Sequence, residues 1–477
     1  MKVLLINPPF EHTLNIGIDS ELMEMAGCFP PMGLLYIAAN LIKNGFTVKL
    51  FDCPVQNISH KDLENYVAEF NPQVVGITTF TTTMYDVLIC AKNIKSFNKN
   101  IKIVLGGHHV YSYPELSATY PDVDFIIRGE AEYSFTELCI GLKNNCDLEE
   151  LKNIKGLGFK QSSGVFLNPE TAFITKVDEL EFPARNLVNP KIYHSVFDTQ
   201  ESEISIISSR GCPFNCSFCF TPEKKYRSRS IENILDEITY LYREGFRKFF
   251  FFDDLFSINS QKIIDFSKAI IQSGMKIKWS FRGRIKSINE ENIKIAKKAG
   301  LIRVQFGIET FDENVLNLCN KNLKKKEILR TLKLCKKFGI QTVGNFIIGL
   351  PGQTEDIVLN DLKIAMKSGL DFAEFNIFTP LPNTSAYNLA LQKGIIKSDF
   401  WKQFAEDPLN NYSIFKMHYY TEYLSEERQF ELCKFAFKKF YLRPVYVVRR
   451  LKTIRSFKQF VFHAKSAMKL LKFNPSK

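Results

Sequence analysis

The chain reads as an α/β protein: an N-terminal doubly wound, Rossmann-like parallel sheet, then a partial six-stranded βα barrel, then a helical C-terminal region. Three observations predict this. At 477 residues the chain exceeds what a single hydrophobic core accommodates. Short apolar runs alternate with amphipathic helical stretches over residues 1–145, the pattern of a parallel sheet covered by helices. A second series of the same kind begins at Ile204, and its helical stretches each stop at a glycine: Gly245, Gly274, Gly300, Gly339 and Gly369. Glycine is the usual left-handed helix terminus.

Taken in order, Lys2 to Asn7 is a short apolar strand, Gly33 to Asn44 an amphipathic helix closed by Gly45, and Thr47 to Asp52 a second strand. Strands follow at Val74 to Thr79, Lys102 to Leu105 and Asp124 to Arg128, with helices near Lys61 to Phe70, Asp86 to Phe97 and Ser134 to Leu142. Such sheets bind ligands at the carboxyl ends of their strands. The loops there are Asn7-Pro8-Pro9, Thr78 to Thr83 (with Thr79 and Thr81), Gly106-Gly107-His108-His109 and Arg128-Gly129-Glu130-Ala131-Glu132. Glycines and hydroxyls let a ligand approach the backbone closely; the alternative is that these are merely tight connections.

Residues 146–200 carry weaker periodicity and read as a connector with a small β-hairpin around Gly156, Gly158 and Gly164. The second series then supplies six strands: Ile204 to Ser208, Lys248 to Phe252, Lys276 to Phe281, Ile302 to Gly307, Gln341 to Ile348 and Asp371 to Phe378. Six strands are too few for an eight-fold barrel of about 250 residues, so an open barrel is expected. The resulting division is 1–145, 146–200, 201–385 and a helical region 386–477. At the strand ends stand Arg210 with a cysteine loop, Asp253-Asp254, Arg282, Arg284, Glu309, Gly344, Gly349 and Thr379.

Composition is that of a folded protein, with 45% hydrophobic and 24% charged residues, which argues against long disordered tracts. The net charge of +12 first suggests a nucleic-acid or anionic-membrane partner. Ten basic residues and no acidic ones lie between Tyr441 and Lys477, leaving 53 basic against 51 acidic residues elsewhere. The body is therefore nearly neutral, and nucleic acid is not expected as a partner. Met1 to Phe10 lacks the form of a signal peptide, and no segment approaches the roughly 18 apolar residues of a membrane span; a cytoplasmic location is expected. In a reducing compartment the eleven cysteines are unlike a disulfide framework. Eight are scattered (Cys28, Cys53, Cys90, Cys139, Cys146, Cys319, Cys335, Cys433) and are expected as small buried hydrophobes.

The other three form Cys212-Pro-Phe-Asn-Cys216-Ser-Phe-Cys219, three thiols on one loop after the first barrel strand. Zinc and iron-sulfur are the centres such a loop suits. Structural zinc takes four protein ligands, and no fourth Cys lies between Glu203 and Glu309. An iron-sulfur cluster on three cysteines keeps one iron open to a substrate or cofactor.

This C-x3-C-x2-C loop, with Phe218 before the last cysteine, on the first strand of a six-fold βα barrel, resembles the radical S-adenosylmethionine superfamily. The resemblance implies a [4Fe-4S] cluster on Cys212, Cys216 and Cys219 whose open iron chelates S-adenosylmethionine. Reductive cleavage of that cofactor to methionine and a deoxyadenosyl radical follows from the same resemblance. It further implies that Asp254, with Asp253 as runner-up, faces the methionine amino group and that Arg284 pairs with the methionine carboxylate. Glu309, in Phe306-Gly307-Ile308-Glu309-Thr310, would contact the ribose or amino group, and the Gly344 to Gly352 segment, through Gly349, would pack against adenine. For each the alternative is a salt bridge or close-packing glycine. Lys321 matches a common family lysine and is assigned no role.

Leu-Ile-Asn-Pro-Pro, Pro30 to Leu34, Gly106-Gly107-x-His109 and Gly129-Glu130-x-Glu132 together resemble the cobalamin-binding domain of the cobalamin-dependent radical enzymes, over about residues 1–430. Thr79, Thr81, Gly106, Gly107, His109, Gly129 and Glu130 become its candidate cofactor contacts. The D-x-H-x-x-G signature is absent, so the implied cobalamin is base-off without a histidine from that motif. His109 is the one substitute ligand, against a loop-packing or phosphate-contact role.

The resemblance implies a methyltransferase acting on an unactivated carbon, with ring-forming cyclisation as the alternative and a non-catalytic metal- or cobalamin-binding protein as the alternative of another class. A methylthiotransferase would need a second cluster, and Cys28, Cys53 and Cys90 lie in surroundings unlike that family's motifs. An electron donor such as flavodoxin or ferredoxin is implied. An aromatic-rich stretch, Phe400 to Tyr441, reads as core packing or as a lid suited to a large apolar substrate, a lipid or tetrapyrrole. The tail interleaves apolar and basic residues over Val445 to Leu451 and Phe457 to Leu471, as a solvated helical face does, or a segment lying on an anionic membrane.

Overall fold

A computed structural model describes residues 1–14, 27–194 and 203–451. Among these the chain forms two compact units, one from residues 1–14, Cys28–Tyr193 and Asp399–Met417, the other from residues 203–398 and 418–451.

The first unit is built on a seven-stranded sheet of order β2-β1-β3-β4-β5-β6-β7. Its strands are β1 (Lys2–Asn7), β2 (Thr47–Asp52), β3 (Val74–Thr79), β4 (Lys102–Gly107), β5 (Phe125–Ile127), β6 (Leu157–Gln161) and β7 (Gly164–Leu167). The first five are parallel, with Lys2 opposite Thr47 and Val3 opposite Val74. Val3, Leu4, Leu5 and Ile6 are buried, the near-continuous apolar run of a strand covered on both faces. Order 2-1-3-4-5 is the doubly wound arrangement, with its switch point between β1 and β3. Helix His60–Phe70 starts at a capping box in which Ser59 and Asp62 exchange side-chain to backbone bonds, a device that satisfies otherwise orphaned amides.

The hairpin expected within a connector is instead the edge of this sheet. Strand β6 pairs antiparallel with β5, Ile126 opposite Gly158. A Cβ at Gly158 would stand 2.8 Å from Ile126 Cγ1, so only glycine lets the hairpin close on β5 here. Periodicity along the chain carries no signal of that pairing.

In the second unit six parallel strands follow one another in space as in sequence: β8 (Ile204–Ile206), β11 (Lys248–Phe251), β12 (Lys278–Gly283), β13 (Leu301–Glu309), β14 (Gln341–Ile348) and β15 (Phe372–Ile377). Strands β8 and β15 are the edges and do not pair with each other, so this is an open six-stranded βα sheet. The five helix-closing glycines all have positive φ, from 64 to 96°. The core is aromatic: Trp279 lies among Phe251, Phe256, Phe266 and Phe281, with ring centroids 5.0–6.0 Å away. Its indole Nε1 donates to Ala299 O at 3.0 Å, satisfying the one polar atom such a ring buries.

The aromatic stretch after Phe400 is divided between the units. Phe400, Trp401 and Phe404 are buried in the first and pack around Phe415 at 5.1–5.9 Å. Helix Glu426–Tyr441 packs in the second, where Cys433 Sγ lies 3.3 Å from Phe375 O. Most of these rings are core, whereas Tyr423 and Phe435 are exposed. Helix Pro444–Leu451 follows, with Arg449 and Arg450 donating to Leu370 O and Asp371 O, both at 3.1 Å. The basic segment 452–477 lies outside the described residues. Of the scattered cysteines, Cys53, Cys90, Cys139, Cys319, Cys335 and Cys433 are buried as expected, whereas Cys28 and Cys146 are half-buried. Among the described residues no helix is long and apolar enough to cross a membrane.

Candidate active site

The cysteine loop leaves the sheet just beyond β8. Its ends are tied by a two-residue antiparallel ladder, β9 (Ser209–Arg210) with β10 (Arg227–Ser228). Gly211 has φ +77°, and a Cβ there would stand 2.5 Å from Lys225 O, so the turn into the loop needs a glycine. Backbone bonds pin the rest: Cys212 N to Glu223 O at 3.2 Å, Cys219 N to Cys216 O at 3.1 Å and Ser217 N to Cys319 O at 3.0 Å. Cys212 and Cys216 are half-buried and Cys219 is exposed.

Burial pushes the Cys212 and Cys219 thiols up, and each is raised further by Cys216 and Asp254, while Arg284 pulls Cys212 back down. Three sulfurs that repel one another as thiolates suit a cationic centre. Among the described residues the one trio of His, Cys, Asp or Glu ligand atoms within 4.8 Å of one another lies elsewhere. Three thiols on one loop leave a fourth position of a tetrahedral ion unfilled, whereas an iron-sulfur cluster held by three cysteines keeps one iron open.

The adjacent acids, Asp253 and Asp254, are in different surroundings. Asp253 is buried and accepts from Ser208 N at 2.6 Å and from the Ser208 and Ser209 hydroxyls at 2.5 and 2.9 Å. It fastens β11 to the root of the cysteine loop. Asp254 is exposed and acts electrostatically on Cys212 and Cys219. We expect Asp253→Asn to cost about 3 kcal/mol, because an amide reverses one acceptor at a buried charged network. Asp254→Asn should leave stability within about 0.5 kcal/mol. Thermal melting of the two variants checks this pair of outcomes.

Arg284, just beyond β12, stacks its guanidinium 3.4 Å from the centroid of Phe214, inside the cysteine loop, and donates to Lys321 O at 3.3 Å. Glu309 ends β13 where the register with β14 slips between Gly307 and Glu309. Its φ is +64°, uncommon for a residue with a side chain, and bulges of this kind re-aim side chains near active sites. The re-aimed carboxylate meets Lys321 Nζ at 2.6 Å, both groups largely buried. Burial works to lower the Lys321 ammonium, yet Glu309 and Cys216 hold it above its ordinary value. Below this strand end Asp361 accepts from Thr310 Oγ1 at 2.6 Å and Phe311 N at 2.8 Å, and burial pushes its carboxyl up to about 7.

Lys321 is the residue sequence reasoning left without a role. The signal was the motif match alone; its approach to Glu309 and Cys216 depends on the turn after helix Glu313–Leu318, where Asn320 and Asn322 both take positive φ. Gly349 lies at φ +90° after β14, donates to Gln353 Oε1 at 2.8 Å, and its α-carbon is packed against the buried Gln429 amide. Its chain position is where expected, but its near neighbour is Gln429.

In the first unit, the ends of β3, β4 and β5 bring Thr79, Thr81, Gly106, Gly107, His109, Gly129 and Glu130 to the carboxyl edge of the sheet. Thr79 Oγ1 donates to Gly106 O at 2.9 Å. Gly107 has φ +112°, and a Cβ there would lie 2.7 Å from Thr79 O. Beside them Phe80 and His108, both exposed, stack at 5.3 Å. Glu130 accepts from Ile174 N at 2.7 Å, binding the loop to the segment after the hairpin.

His109 is fully buried, with Nδ1 3.1 Å from Thr81 Oγ1 and Nε2 2.9 Å from Tyr120 Oη. The Tyr120 hydroxyl donates to Ala405 O, so it receives from His109 Nε2–H, and Nδ1 accepts from Thr81. Burial pushes this imidazole down to about 3: it is neutral and both nitrogens are spent. That is the loop-packing role, with no lone pair left for cobalt.

The second unit thus offers three thiols on one loop with a carboxylate, a guanidinium and a buried ion pair beside them, a set able to hold an iron-sulfur cluster and a zwitterionic amino-acid moiety. The first offers a glycine-bearing, hydroxyl-rich rim at the ends of parallel strands, fit for a large ligand with polar appendages. Two family models match the chain, one for the radical SAM superfamily over residues 206–365 and one for the B12 binding domain over residues 22–139. An uncharacterized methyltransferase of Pyrococcus horikoshii is 33% identical over 455 residues, 94% of each protein. The anaerobic magnesium-protoporphyrin IX monomethyl ester cyclase of Cereibacter sphaeroides is 28% identical, over 81% of this chain and 63% of that one. Among solved structures, the radical S-adenosylmethionine methyltransferase TsrM from Kitasatospora setae, with cobalamin and a [4Fe-4S] cluster bound, superposes with TM-score 0.67 at 18% identity. That match covers 83% of this chain and 78% of that one, and at this identity it shows the fold.

Proposed function

The chain belongs to the B12-binding radical S-adenosylmethionine enzymes, and from that premise we propose that it methylates an unactivated carbon of a large, apolar small molecule. The observation that carries this reading is the 33% identity to a methyltransferase along 94% of both chains. A ring-forming reaction is the second reading, favoured by the cyclase likeness over 81% of this chain; the longer and stronger match supports methylation.

In this reading Cys212, Cys216 and Cys219 hold a [4Fe-4S] cluster, Asp254 takes the S-adenosylmethionine amino group, Arg284 pairs with its carboxylate, and Glu309 and Gly349 line its nucleoside. When bound, the cluster supplies the electron that cleaves S-adenosylmethionine, and cobalamin carries the methyl group. The protein's part is placement and electrostatics. Arg284 is pre-oriented by its stack on Phe214, leaving a planar fork suited to a carboxylate. Lys321, paired with Glu309 beside Cys216, places positive charge where thiolates must be stabilised. Thr79, Thr81, Gly106, Gly107, Gly129 and Glu130 shape the cobalamin rim, and His109 braces it from below.

The electron donor is a flavodoxin- or ferredoxin-type protein, and the substrate class is a polycyclic lipid or tetrapyrrole. Incubating the reduced holoenzyme with trideuteromethyl-labelled S-adenosylmethionine and lipid or tetrapyrrole fractions should yield a product carrying the labelled methyl. A product that has lost hydrogens and gained a ring, with no label, would support the cyclase reading instead.

Peripheral membrane contact belongs to the same reading. Helix Pro444–Leu451 leaves Val445, Val448 and Leu451 77, 51 and 53% exposed, while Arg449 and Arg450 turn inward to Leu370 and Asp371. Seven of the ten basic residues of the tail follow Leu451, outside the described residues, and basic residues interleaved with apolar ones suit an anionic membrane surface. Truncation after Leu451 leaves these packing contacts in place. It should abolish binding to phosphatidylserine vesicles and preserve deoxyadenosine formation; unchanged vesicle binding would dismiss the anchor.

A further inference from the structure

We propose that the B12-binding unit holds a divalent transition-metal ion of the zinc or ferrous class on Glu11, His12 and His60, with Asp86 beside the two imidazoles, apart from the cysteine site and independent of it. These residues come from three separate connections. Glu11 and His12 follow β1, His60 opens the helix after β2, and Asp86 lies in helix Met84–Phe97 after β3. The fold thus brings them together at the carboxyl edge of the sheet, next to its switch point, where open α/β sheets bind ligands.

Three ligand atoms converge, and Asp86 backs the two imidazoles among them. Ligand atoms of Glu11, His12 and His60 lie within 4.8 Å of one another. Asp86 Oδ1 stands 2.9 Å from His12 Nδ1 and 2.8 Å from His60 Nε2. Neighbouring ligands on one tetrahedral ion, each at about 2.1 Å, are about 3.4 Å apart, so side-chain shifts of about half an ångström admit it. The carboxylates are held in place: Asp86 Oδ2 accepts from His12 N at 2.9 Å and Glu11 Oε1 from His60 N at 2.9 Å. The far nitrogen of His60 faces Cys90 Sγ at 3.6 Å. Cys90 thus sits behind that ring, the supporting position usual behind a ligating histidine.

Charge and donor type choose the ion. Asp86 is fully buried, and a buried carboxylate needs a compensating charge. The two carboxylates of Glu11 and Asp86 bring negative charge that a divalent cation offsets. Mixed imidazole and carboxylate donors suit zinc, iron and cobalt; calcium and magnesium prefer oxygen alone. Tyr85 and Tyr412 screen the site, with rings 4.8 and 5.7 Å from His12 and 4.4 Å from each other. An ion here would clamp the connections after β2, β1 and β3, three neighbouring strands at one side of the sheet.

The test uses the full chain with Cys212, Cys216 and Cys219 all replaced by alanine, so that no thiolate site competes, and titrates it with Co2+ and Zn2+. One equivalent of Co2+ is expected to bind, with nitrogen and oxygen ligand-field bands, no sulfur charge-transfer band, and displacement by Zn2+. His12→Gln, at a half-exposed position that can be changed without emptying the core, should weaken binding at least tenfold while the melting temperature of the metal-free chain is retained. In the cluster-loaded wild-type chain, zinc should be retained alongside the iron. Absence of stoichiometric binding, or binding undiminished in His12→Gln, would overturn the site and leave Asp86 as a carboxylate shared by two imidazoles.

Discussion

Replacing Cys216 with alanine is expected to reduce iron content and deoxyadenosine formation to background while cobalamin binding persists. The same holds for Cys212 and Cys219. The three sulfurs are the only cysteines on the loop after β8, and the loop is fixed by its own backbone bonds to Glu223, Cys216 and Cys319, so loss of a thiol removes a ligand without removing the scaffold. Cys319, whose carbonyl holds Ser217 N, is buried, with its thiol pushed up to about 12. Retained cobalamin follows because the B12-binding sheet and the cysteine loop belong to separate compact units. Iron analysis, deoxyadenosine quantification and bound-cobalamin absorbance read the outcome together. Persistent deoxyadenosine formation in any of the three variants would remove the cluster assignment.

The second large effect is expected at Gly129. Its φ is +110°, and a Cβ there would press on Ala172 O and lie 2.9 Å from Thr171 Cγ2. Gly129 bridges to Ala172, Ala172 N donates to Arg128 O at 3.1 Å, and Glu130 holds Ile174 N. Gly129→Ala must therefore move the loop or the strand it touches, at a cost of about 3 kcal/mol. Cobalamin retention should fall at least about tenfold. Gly164→Ala is the control, because that residue has φ +123° with open space around it; it meets only the backbone penalty of about 1–2 kcal/mol and should keep its cobalamin. Equal cobalamin loss in both variants would mean that stability alone, and not the shape of the β5 rim, governs binding.

Much of the fold was legible because its signals are local. Strands β1, β2, β3 and β14 were bounded to the residue, since each is an apolar run between turn residues, and the helix-closing glycines marked where the barrel helices end. The cysteine spacing was likewise local and specific. What escaped was set by tertiary approach. The hairpin joins β5 because Gly158 admits Ile126, and Phe400 to Phe404 pack in the first unit although they follow the barrel in sequence. Asp253 and Asp254 are alike as letters, and only the serines at the end of β8 show which one is consumed. Glu11, His12, His60 and Asp86 are too far apart in the chain for any motif to join them.

The account makes cobalamin the methyl carrier between S-adenosylmethionine and substrate, which can be measured before the substrate is identified. Reduced holoenzyme carrying cluster and cobalamin is mixed anaerobically with trideuteromethyl-labelled S-adenosylmethionine, and the extracted cobalamin is analysed by mass spectrometry, alongside the Cys216→Ala enzyme. Labelled methylcobalamin in both enzymes, with deoxyadenosine in the wild type alone, is the predicted result. Deoxyadenosine formed by the wild type with no label on cobalamin in either enzyme would contradict it.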